Sequence, residues 1–370
     1  MRRCIGFLVG IILCLLLLPE PAVMQAAEVS AQACILMEGT TGQVLYEKNA
    51  RTKRSMASTT KIMTTLLTLE SGGLDTEFTV DSDAIHVEGS SMGLQEGDTV
   101  TKRALCYGML LPSGNDAANA AAVAVAGSIP AFAEMMNARA ARIGMEHTCF
   151  VTPSGLEGEG HGASAFDMAL LAREAMQNPE FRSICCQQSA RVHFGNPPYD
   201  RTLYNSNKLL GMCEGVIGIK TGFTDEAGRC LVSACERDGI MLICVTLDAP
   251  DDWNDHIALY EETFPEMQRR QLPVPGMLRI SVAGGVRSFV SLVPQEIPAF
   301  GALDGRSPDL RTRTELPPFL FAPVRQGDPV GRLLWYDAAG RCIAQTVLTA
   351  GEDCALSAEK TKKYRRFFFF

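Results

Sequence analysis

The sequence predicts a mixed α/β domain of the α+β type, followed by a smaller all-β domain. Up to about residue 270, segments of helical periodicity alternate with short apolar runs that favour strands. From residue 271 onward, alternating apolar residues, prolines and glycines replace the helical pattern. With 370 residues, 46% of them hydrophobic, the chain is long enough to bury one large core or two.

The first 27 residues are typical of a secretory signal peptide. Arg2 and Arg3 precede an apolar run over residues 5–18, and small residues follow near Ala26. An uncleaved anchor is the alternative, although the run is short for a bilayer. We therefore expect an exported, extracytoplasmic protein.

Charge and residue spacing exclude several classes of function. The formal net charge of −8 becomes −9 once the signal peptide removes two arginines and one glutamate. An acidic chain argues against nucleic acid as a partner. The 13 cysteines and 5 histidines show neither C-x-x-C nor H-E-x-x-H spacing. We expect no metal ion and no cofactor.

The elements are expected in a definite order along residues 28–270. They are two strands around a turn at 39–42, a helix over 56–70, a helix ending near Leu111, a break at 112–114, an alanine-rich helix, an amphipathic helix after Ser164, a strand over 215–222, a hairpin turning at 237–239 and a helix over about 253–264. In the second domain, residues 271–356, a hairpin should turn at 337–340.

Ser58 and Lys61 stand at the start of the first predicted helix. Residues three apart share a helix face, so both side chains should enter one space. Unpaired N–H groups and the helix dipole at this end favour negative charge, and a buried lysine can lose its proton and accept that of the serine. The motif alone is weak, because Ser357 and Lys360 repeat the spacing in the tail.

Two further motifs follow Ser58 in order. Ser113-Gly114-Asn115 lies in the break between two helices, where short polar side chains can face a cleft. Lys220-Thr221-Gly222 lies at the end of a strand, and its glycine permits close approach of a backbone edge. Three elements in this order match the active-serine motifs of penicillin-binding proteins and serine β-lactamases.

The stretches around these motifs strengthen the match. The sequence resembles the low-molecular-mass penicillin-binding proteins that are serine-type D-alanyl-D-alanine carboxypeptidases, over about residues 33–350. The resemblance rests on "TGQVLYEKN", "ASTTKIMTTLLTLE", "YGMLLPSGNDAANA", "IGIKTGFTDEAGRCLV" and "APVRQGDPVGRLL". It implies a β-lactamase-like transferase core, with a five-stranded antiparallel-type sheet flanked by helices.

The resemblance also implies catalytic roles. Ser58 would attack the peptide bond between two terminal D-alanines, with Lys61 as its general base. Ser113 would relay a proton to the leaving amine, and Lys220 would help to keep Lys61 neutral. The backbone N–H groups of Ser58 and Phe223 would form the oxyanion hole.

Substrate binding is implied for a second set of residues. Asn115 would bind the substrate amide, Thr221 would bind the terminal carboxylate, and Gly222 would let the strand edge lie against the substrate. Relatives often carry an arginine after the hairpin, where this chain reads "LDAPDDWNDHIALYE" without one. Trp253 or His256 could line the cleft instead, or Thr221 and Lys220 could hold the carboxylate without help. Trp253 could also simply pack against the core.

Other functions remain as alternatives. A serine β-lactamase shares the three motifs, but Glu157 and Glu159 lack the asparagine of the E-x-x-x-N pattern that supplies a deacylating glutamate in class A enzymes. A catalytically silent wall-binding protein would not need all the motif residues. A Ser-His-Asp triad around His161 is also conceivable, although Ser164 is better explained as a helix cap.

Partners follow from the family resemblance and from the tail. The expected partners are peptidoglycan stem peptides, with β-lactams as covalent inhibitors. The resemblance also implies a location at the outer face of the cytoplasmic membrane or in the cell wall. Residues 357–370 combine five basic residues with four terminal phenylalanines. This composition suits peripheral contact with an anionic membrane surface, and a frayed end is the alternative.

Overall fold

The computed structural model describes residues 28–303 and 308–357, so the predicted signal peptide and the tail after Ser357 lie outside the described residues. The helices are α1 (Lys61–Glu70), α2 (Ser82–Ile85), α3 (Lys102–Leu110), α4 (Asn115–Ala126), α5 (Ile129–Ile143), α6 (Ala165–Met176), α7 (Pro179–Cys185) and α8 (Asp252–Thr263). Short 3₁₀ helices are Ala57–Thr60, Lys208–Gly211 and Phe264–Glu266.

The strands divide into those of the catalytic domain and those that follow it. The first group is β1 (Ala33–Glu38), β2 (Val44–Lys48), β3 (Glu77–Thr79), β4 (Thr99–Thr101), β5 (Ser189–Gly195), β6 (Pro198–Tyr204), β7 (Val216–Thr224), β8 (Gly228–Arg237) and β9 (Ile240–Leu247). The second is β10 (Met267–Gln271), β11 (Arg279–Ala283), β12 (Phe289–Pro294), β13 (Ala299–Leu303), β14 (Arg311–Glu315), β15 (Leu320–Phe321), β16 (Pro329–Tyr336) and β17 (Cys342–Ala350).

A five-stranded antiparallel sheet forms the centre of the catalytic domain, in the order β2-β1-β9-β8-β7. β1, β8 and β9 are largely buried, because their long apolar runs can pack on both faces. Asp238 and Gly239 both have positive φ in the turn between β8 and β9, as a tight hairpin requires. The predicted sheet and hairpin are confirmed.

Helices cover both faces of this sheet. Along β1, Ile35 joins the core shared with α1, α3, α4 and α6, whereas Leu36 joins the core on the other face. That alternation is what a strand with two buried faces produces. On the second face, Leu259 and Tyr260 of α8 pack against the sheet. The sheet therefore holds the predicted helices in two layers.

The features that were not predicted from the sequence include α5 and the four-stranded sheet in the order β3-β4-β5-β6. Ser128 caps the start of α5, and Gly144, whose φ is 87°, caps its end. Only Phe132, Met136 and Ala140 of this helix are buried, so its apolar stripe is narrow. β3 and β4 have only three residues each, too few to show a period of two.

The C-terminal part of the chain is all β and has its own core. A six-stranded sheet runs in the order β14-β16-β17-β12-β11-β15, and β10 pairs with β13 separately. Trp335 and Leu333 are fully buried in this core. The hairpin predicted at 337–340 joins β16 to β17. The boundaries at 270 and 356 stay predictions.

Arg173 of α6 joins the two parts of the chain. Its Nε donates to the carbonyl oxygen of Gly39 at 2.9 Å, and its Nη2 donates to those of Thr40 at 2.6 Å and Ile343 at 3.4 Å. No single helix among the described residues is long and apolar enough to cross a membrane; α4 and α5 reach that length only as a pair bent by 85°.

Candidate active site

Ser58 lies in the 3₁₀ turn that leads into α1, where the sequence predicted a continuous helix. In a 3₁₀ turn residues i and i+3 lie directly above one another, so Lys61 comes beneath Ser58. Ala57, just before the serine, has a φ of 45°, which is unusual for a residue with a Cβ atom. Such strain persists only where the surroundings enforce it, and here it sets the direction of Ser58.

Lys61 is fully buried and makes three polar contacts. Its Nζ lies 2.9 Å from Ser58 Oγ, 2.7 Å from Asn115 Oδ1 and 2.6 Å from the carbonyl oxygen of Ser154. Two of these atoms can only accept hydrogen bonds, and together they hold the amine beside the serine hydroxyl. The contact with Ser154 was not predicted, because a backbone carbonyl leaves no mark in the sequence.

Burial changes the proton affinity of both lysines in the site. The pKa of Lys61 is lowered well below its usual value, chiefly because the charged amine is removed from water, and further by the positive charge of Lys220. Burial alone lowers the pKa of Lys220 to about 7. A neutral Lys61 amine can accept the proton of Ser58.

The Ser113 motif occupies the connection between α3 and α4. Ser113 has a φ of 67°, in the left-handed region, and its side chain lines the cleft. Asn115 is buried; its Oδ1 accepts from Lys61, and its Nδ2 donates to the carbonyl oxygen of Glu88 at 2.7 Å. Both polar atoms of the Asn115 side chain are therefore hydrogen-bonded to protein atoms. The contact of Asn115 with the substrate stays a prediction.

β7 is an edge strand of the central sheet and carries the third motif. Lys220 is buried, and its Nζ donates to the carbonyl oxygen of Thr221 at 2.9 Å. Thr221 Oγ1 lies 2.8 Å from Ser206 Oγ. A Cβ on Gly222 would lie 3.2 Å from the backbone nitrogen of Ser58, so the glycine lets β7 pack against the nucleophile turn. Phe223 is 62% exposed at the end of the motif.

These segments enclose a cleft of about 360 Å³. Of the predicted residues, Ser58, Ser113, Thr221, Gly222 and Phe223 line it, while Lys61, Asn115 and Lys220 lie buried behind its wall. The cleft also contains residues that were not predicted, namely Ser90, Ser206, Lys208, Arg229 and Asp252. None of them was assigned a role from the sequence, although Arg229 and Asp252 lie within stretches quoted above.

Trp253 and His256 were both proposed to line the cleft in place of the missing arginine, and only one of them does so. Trp253 lines the cleft at the start of α8, and its half-buried ring also packs against the second core. His256 does not reach the cleft, and that prediction was wrong. It is fully buried between Ser233 Oγ at 2.6 Å and Thr246 Oγ1 at 3.0 Å, because α8 turns this face toward the sheet.

His161 does not form a catalytic triad. Its Nδ1 accepts from the backbone N–H of Val151 at 3.0 Å, and its Nε2 lies 2.9 Å from Thr60 Oγ1. Burial lowers its pKa to about 4, which keeps the ring neutral. Ser164 caps α6 by accepting from the backbone N–H of Asp167 at 3.1 Å. Capping and packing thus account for the three residues.

Glu157 does not approach the serine as a deacylating base. Its carboxylate accepts from Thr224 Oγ1 at 2.6 Å and from Ser55 Oγ at 3.2 Å. Together with Glu159 it lines a separate cavity beside Lys53. The glutamate that a class A β-lactamase would need is therefore engaged elsewhere.

Comparison with known proteins identifies the family. A family model described as D-alanyl-D-alanine carboxypeptidase matches residues 20–251, more than half of the chain. The chain belongs to this family. As a member of the D-alanyl-D-alanine carboxypeptidase family, it has the serine-type peptidase fold that its three motifs predicted.

Relatives extend the similarity beyond the catalytic domain. D-alanyl-D-alanine carboxypeptidase DacF of Bacillus subtilis is 31% identical over 87% of this chain and 85% of its own length. DacC of Escherichia coli is 33% identical over 89% of this chain and 86% of its own. Both alignments reach into the C-terminal β domain, which fits a carboxypeptidase better than a β-lactamase.

Solved structures show the same architecture. Penicillin-binding protein 5 of Haemophilus influenzae superposes with a TM-score of 0.64 at 25% identity, over 90% of this chain and 99% of that one. The carboxypeptidase DacD of Francisella tularensis gives a TM-score of 0.62 at 26% identity, over 92% and 98%. The predicted fold class is confirmed.

Proposed function

We propose that this chain removes the terminal D-alanine from peptidoglycan stem peptides through an acyl-enzyme on Ser58. The observation that carries the proposal is the contact of 2.9 Å between Ser58 Oγ and the buried amine of Lys61. A serine at the floor of an open cleft, with a neutral amine beside it, is an activated nucleophile. The family membership supplies the class of reaction.

The proposed acylation step uses the residues of this site. Lys61 Nζ takes the proton of Ser58 as Oγ attacks the carbonyl carbon of the penultimate D-alanine. The peptide C–N bond breaks, and the leaving amine of the last D-alanine takes a proton that Ser113 relays from Lys61. The backbone N–H groups of Ser58 and Phe223 would stabilise the negative charge on the carbonyl oxygen.

In deacylation, Lys61 activates a water molecule and Ser58 becomes the leaving group. Water attacks the acyl carbonyl carbon and gives up a proton to Lys61, and the bond to Ser58 Oγ breaks as the serine recovers its proton. Thr221 lines the cleft and would bind the terminal carboxylate, with Lys220 buried behind it. β-Lactams would acylate Ser58 in the same way and act as covalent inhibitors.

The place of action is also part of the proposal. Residues 1–27 would direct export, and the basic and aromatic residues of 357–370 would touch the outer face of the cytoplasmic membrane. Its substrate, the peptidoglycan stem peptide, lies on that side of the membrane. The carboxylate of Glu157 is bound by Thr224, which argues against a class A β-lactamase. The contact between Ser58 and Lys61 argues against a catalytically silent wall-binding protein.

Release of D-alanine tests the proposed reaction. The mature protein and its Ser58→Ala variant are incubated with diacetyl-L-Lys-D-Ala-D-Ala, and free D-alanine is measured. We expect release by the wild type and a loss of at least about 1,000-fold in the variant, because no other group can take up the acyl chain. Wild-type protein that is folded but releases nothing would overturn the carboxypeptidase proposal. Hydrolysis of penicillin would then be measured instead.

A further inference from the structure

We propose that Arg229 binds the free terminal carboxylate of the substrate and that Asp252 positions its guanidinium. This inference rests on the proposed function, since it concerns a peptide that ends in a carboxylate. It assigns a specificity-determining role to a residue of β8, whereas the segment after β9 contributes no arginine.

The register of the sheet brings Arg229 to the cleft. Arg229 pairs with Phe223, directly after the Lys220 motif, because β8 runs antiparallel to β7. Its side chain is 40% exposed and lines the same cavity as Ser58 and Thr221. A residue on the neighbouring strand therefore reaches the substrate side of the edge strand.

Asp252 holds the guanidinium at a defined angle. Its buried Oδ1 accepts from Arg229 Nε at 3.0 Å and from Nη2 at 2.6 Å. The ring of Trp253 lies 5.4 Å from the guanidinium carbon. Of the five N–H groups of an arginine, Asp252 uses two, and three remain for a second carboxylate. A fork fixed in this way loses little side-chain entropy on binding a carboxylate.

The other cations of the cleft are less suited to this role. Burial lowers the pKa of Lys220 to about 7, so its charge is partly lost near neutral pH. Its Nζ also points to the carbonyl oxygen of Thr221. Lys208 lines the cleft from an exposed 3₁₀ helix and offers a single point charge. The guanidinium of Arg229 instead offers a planar fork of donors, which matches the geometry of a carboxylate.

The test compares two peptides that differ only at the carboxylate. Values of kcat/KM are measured for diacetyl-L-Lys-D-Ala-D-Ala and for its C-terminal amide, with wild type, Arg229→Gln, Arg229→Lys and Asp252→Asn. For Arg229→Gln we expect about a 50-fold loss on the acid and less than about a threefold change on the amide. Arg229→Lys should keep part of the preference for the acid. Asp252→Asn should raise KM for the acid while kcat stays nearly constant.

Lys208→Gln is the matched control, because it removes another positive charge from the same cleft. It should leave the ratio of acid to amide within about twofold of wild type, since an exposed ammonium is screened. An equal effect of Arg229→Gln on both peptides, in a variant that melts like wild type, would overturn the proposal. The same holds if Lys208→Gln shifts the ratio as strongly.

Failure of the proposed function gives a different result. In that case wild-type protein cleaves neither peptide. The role of Arg229 is then measured by acylation of Ser58 with penicillin G and with its methyl ester, followed by mass spectrometry. Loss of discrimination between acid and ester in Arg229→Gln supports the assignment, and unchanged discrimination overturns it.

Discussion

At the scale of single residues, two buried lysines share one site, and this arrangement is unfavourable unless one of them is neutral. The pKa of Lys61 is lowered well below its usual value, first by burial and then by the positive charge of Lys220. A lysine whose pKa falls in the folded protein is deprotonated at a lower pH than in the unfolded chain. The base is thus available at pH values where an ordinary lysine would carry a proton.

The pH dependence of acylation tests this coupling. The rate of labelling of Ser58 by a fluorescent penicillin should rise with pH as Lys61 loses its proton. Lys220→Gln removes a positive charge, so the pKa of Lys61 should rise and the acidic limb should move upward by about one pH unit. The half-buried surface lysine in Lys102→Gln serves as the control. An acidic limb that stays in place, or moves to lower pH, would contradict the coupling.

At the scale of elements, the site depends on the close packing of a loop against the turn that carries Ser58. Gly155 has a φ of 87°, and a Cβ at this position would overlap the carbonyl oxygen of Ala57. The neighbouring Ser154 supplies a carbonyl oxygen to Lys61. The loop therefore determines both the direction of the nucleophile and the position of its base.

Gly155→Ala should move this turn. We expect the free energy of unfolding to fall by at least about 2 kcal/mol more than in Gly160→Ala, together with slower acylation. Gly160 belongs to the same loop and has a φ of 78°, but a Cβ there meets nothing within 4 Å. The substitution Gly160→Ala therefore introduces similar backbone strain without a steric overlap. Equal unfolding energies of the two variants, measured in urea, would show that the contact with Ala57 is unimportant.

At the scale of the whole molecule, the catalytic domain and the β domain meet at the turn between β1 and β2. Arg173 donates to two carbonyl oxygens of this turn and to that of Ile343 in the β domain. The backbone N–H of Gly301 donates to Glu38 Oε1 at 3.3 Å. Burial raises the pKa of Glu38, against the effect of its hydrogen bonds. The junction is a polar network, so its stability depends on every donor being present.

Arg173→Met should destabilise the protein without changing the chemistry. Loss of the guanidinium leaves buried carbonyl oxygens without donors and should cost about 3 kcal/mol of unfolding free energy. Arg142→Met is the control, because Arg142 and Arg173 line one cavity at this junction and Arg142 is exposed. D-Alanine release per folded molecule should match wild type in both variants. Equal denaturation midpoints for the two variants would refute this role of Arg173.

The sequence by itself was enough to predict the nucleophile, its base and the order of the three motifs. Ser58 and Lys61 lie within one turn, where backbone dihedral angles alone bring i and i+3 together. The long apolar runs of β8 and β9 and the hairpin turn between them are likewise local features. The fold class followed from these patterns and from the family resemblance.

Only the tertiary structure placed Arg229, His256 and the carbonyl group of Ser154. Arg229 reaches the cleft because the register of β8 against β7 sets it beside Phe223. His256 is buried in the core because α8 packs the face that carries it against the sheet. Contacts between distant segments depend on strand register and helix orientation, which result from packing the whole core and leave no periodic signal along the chain.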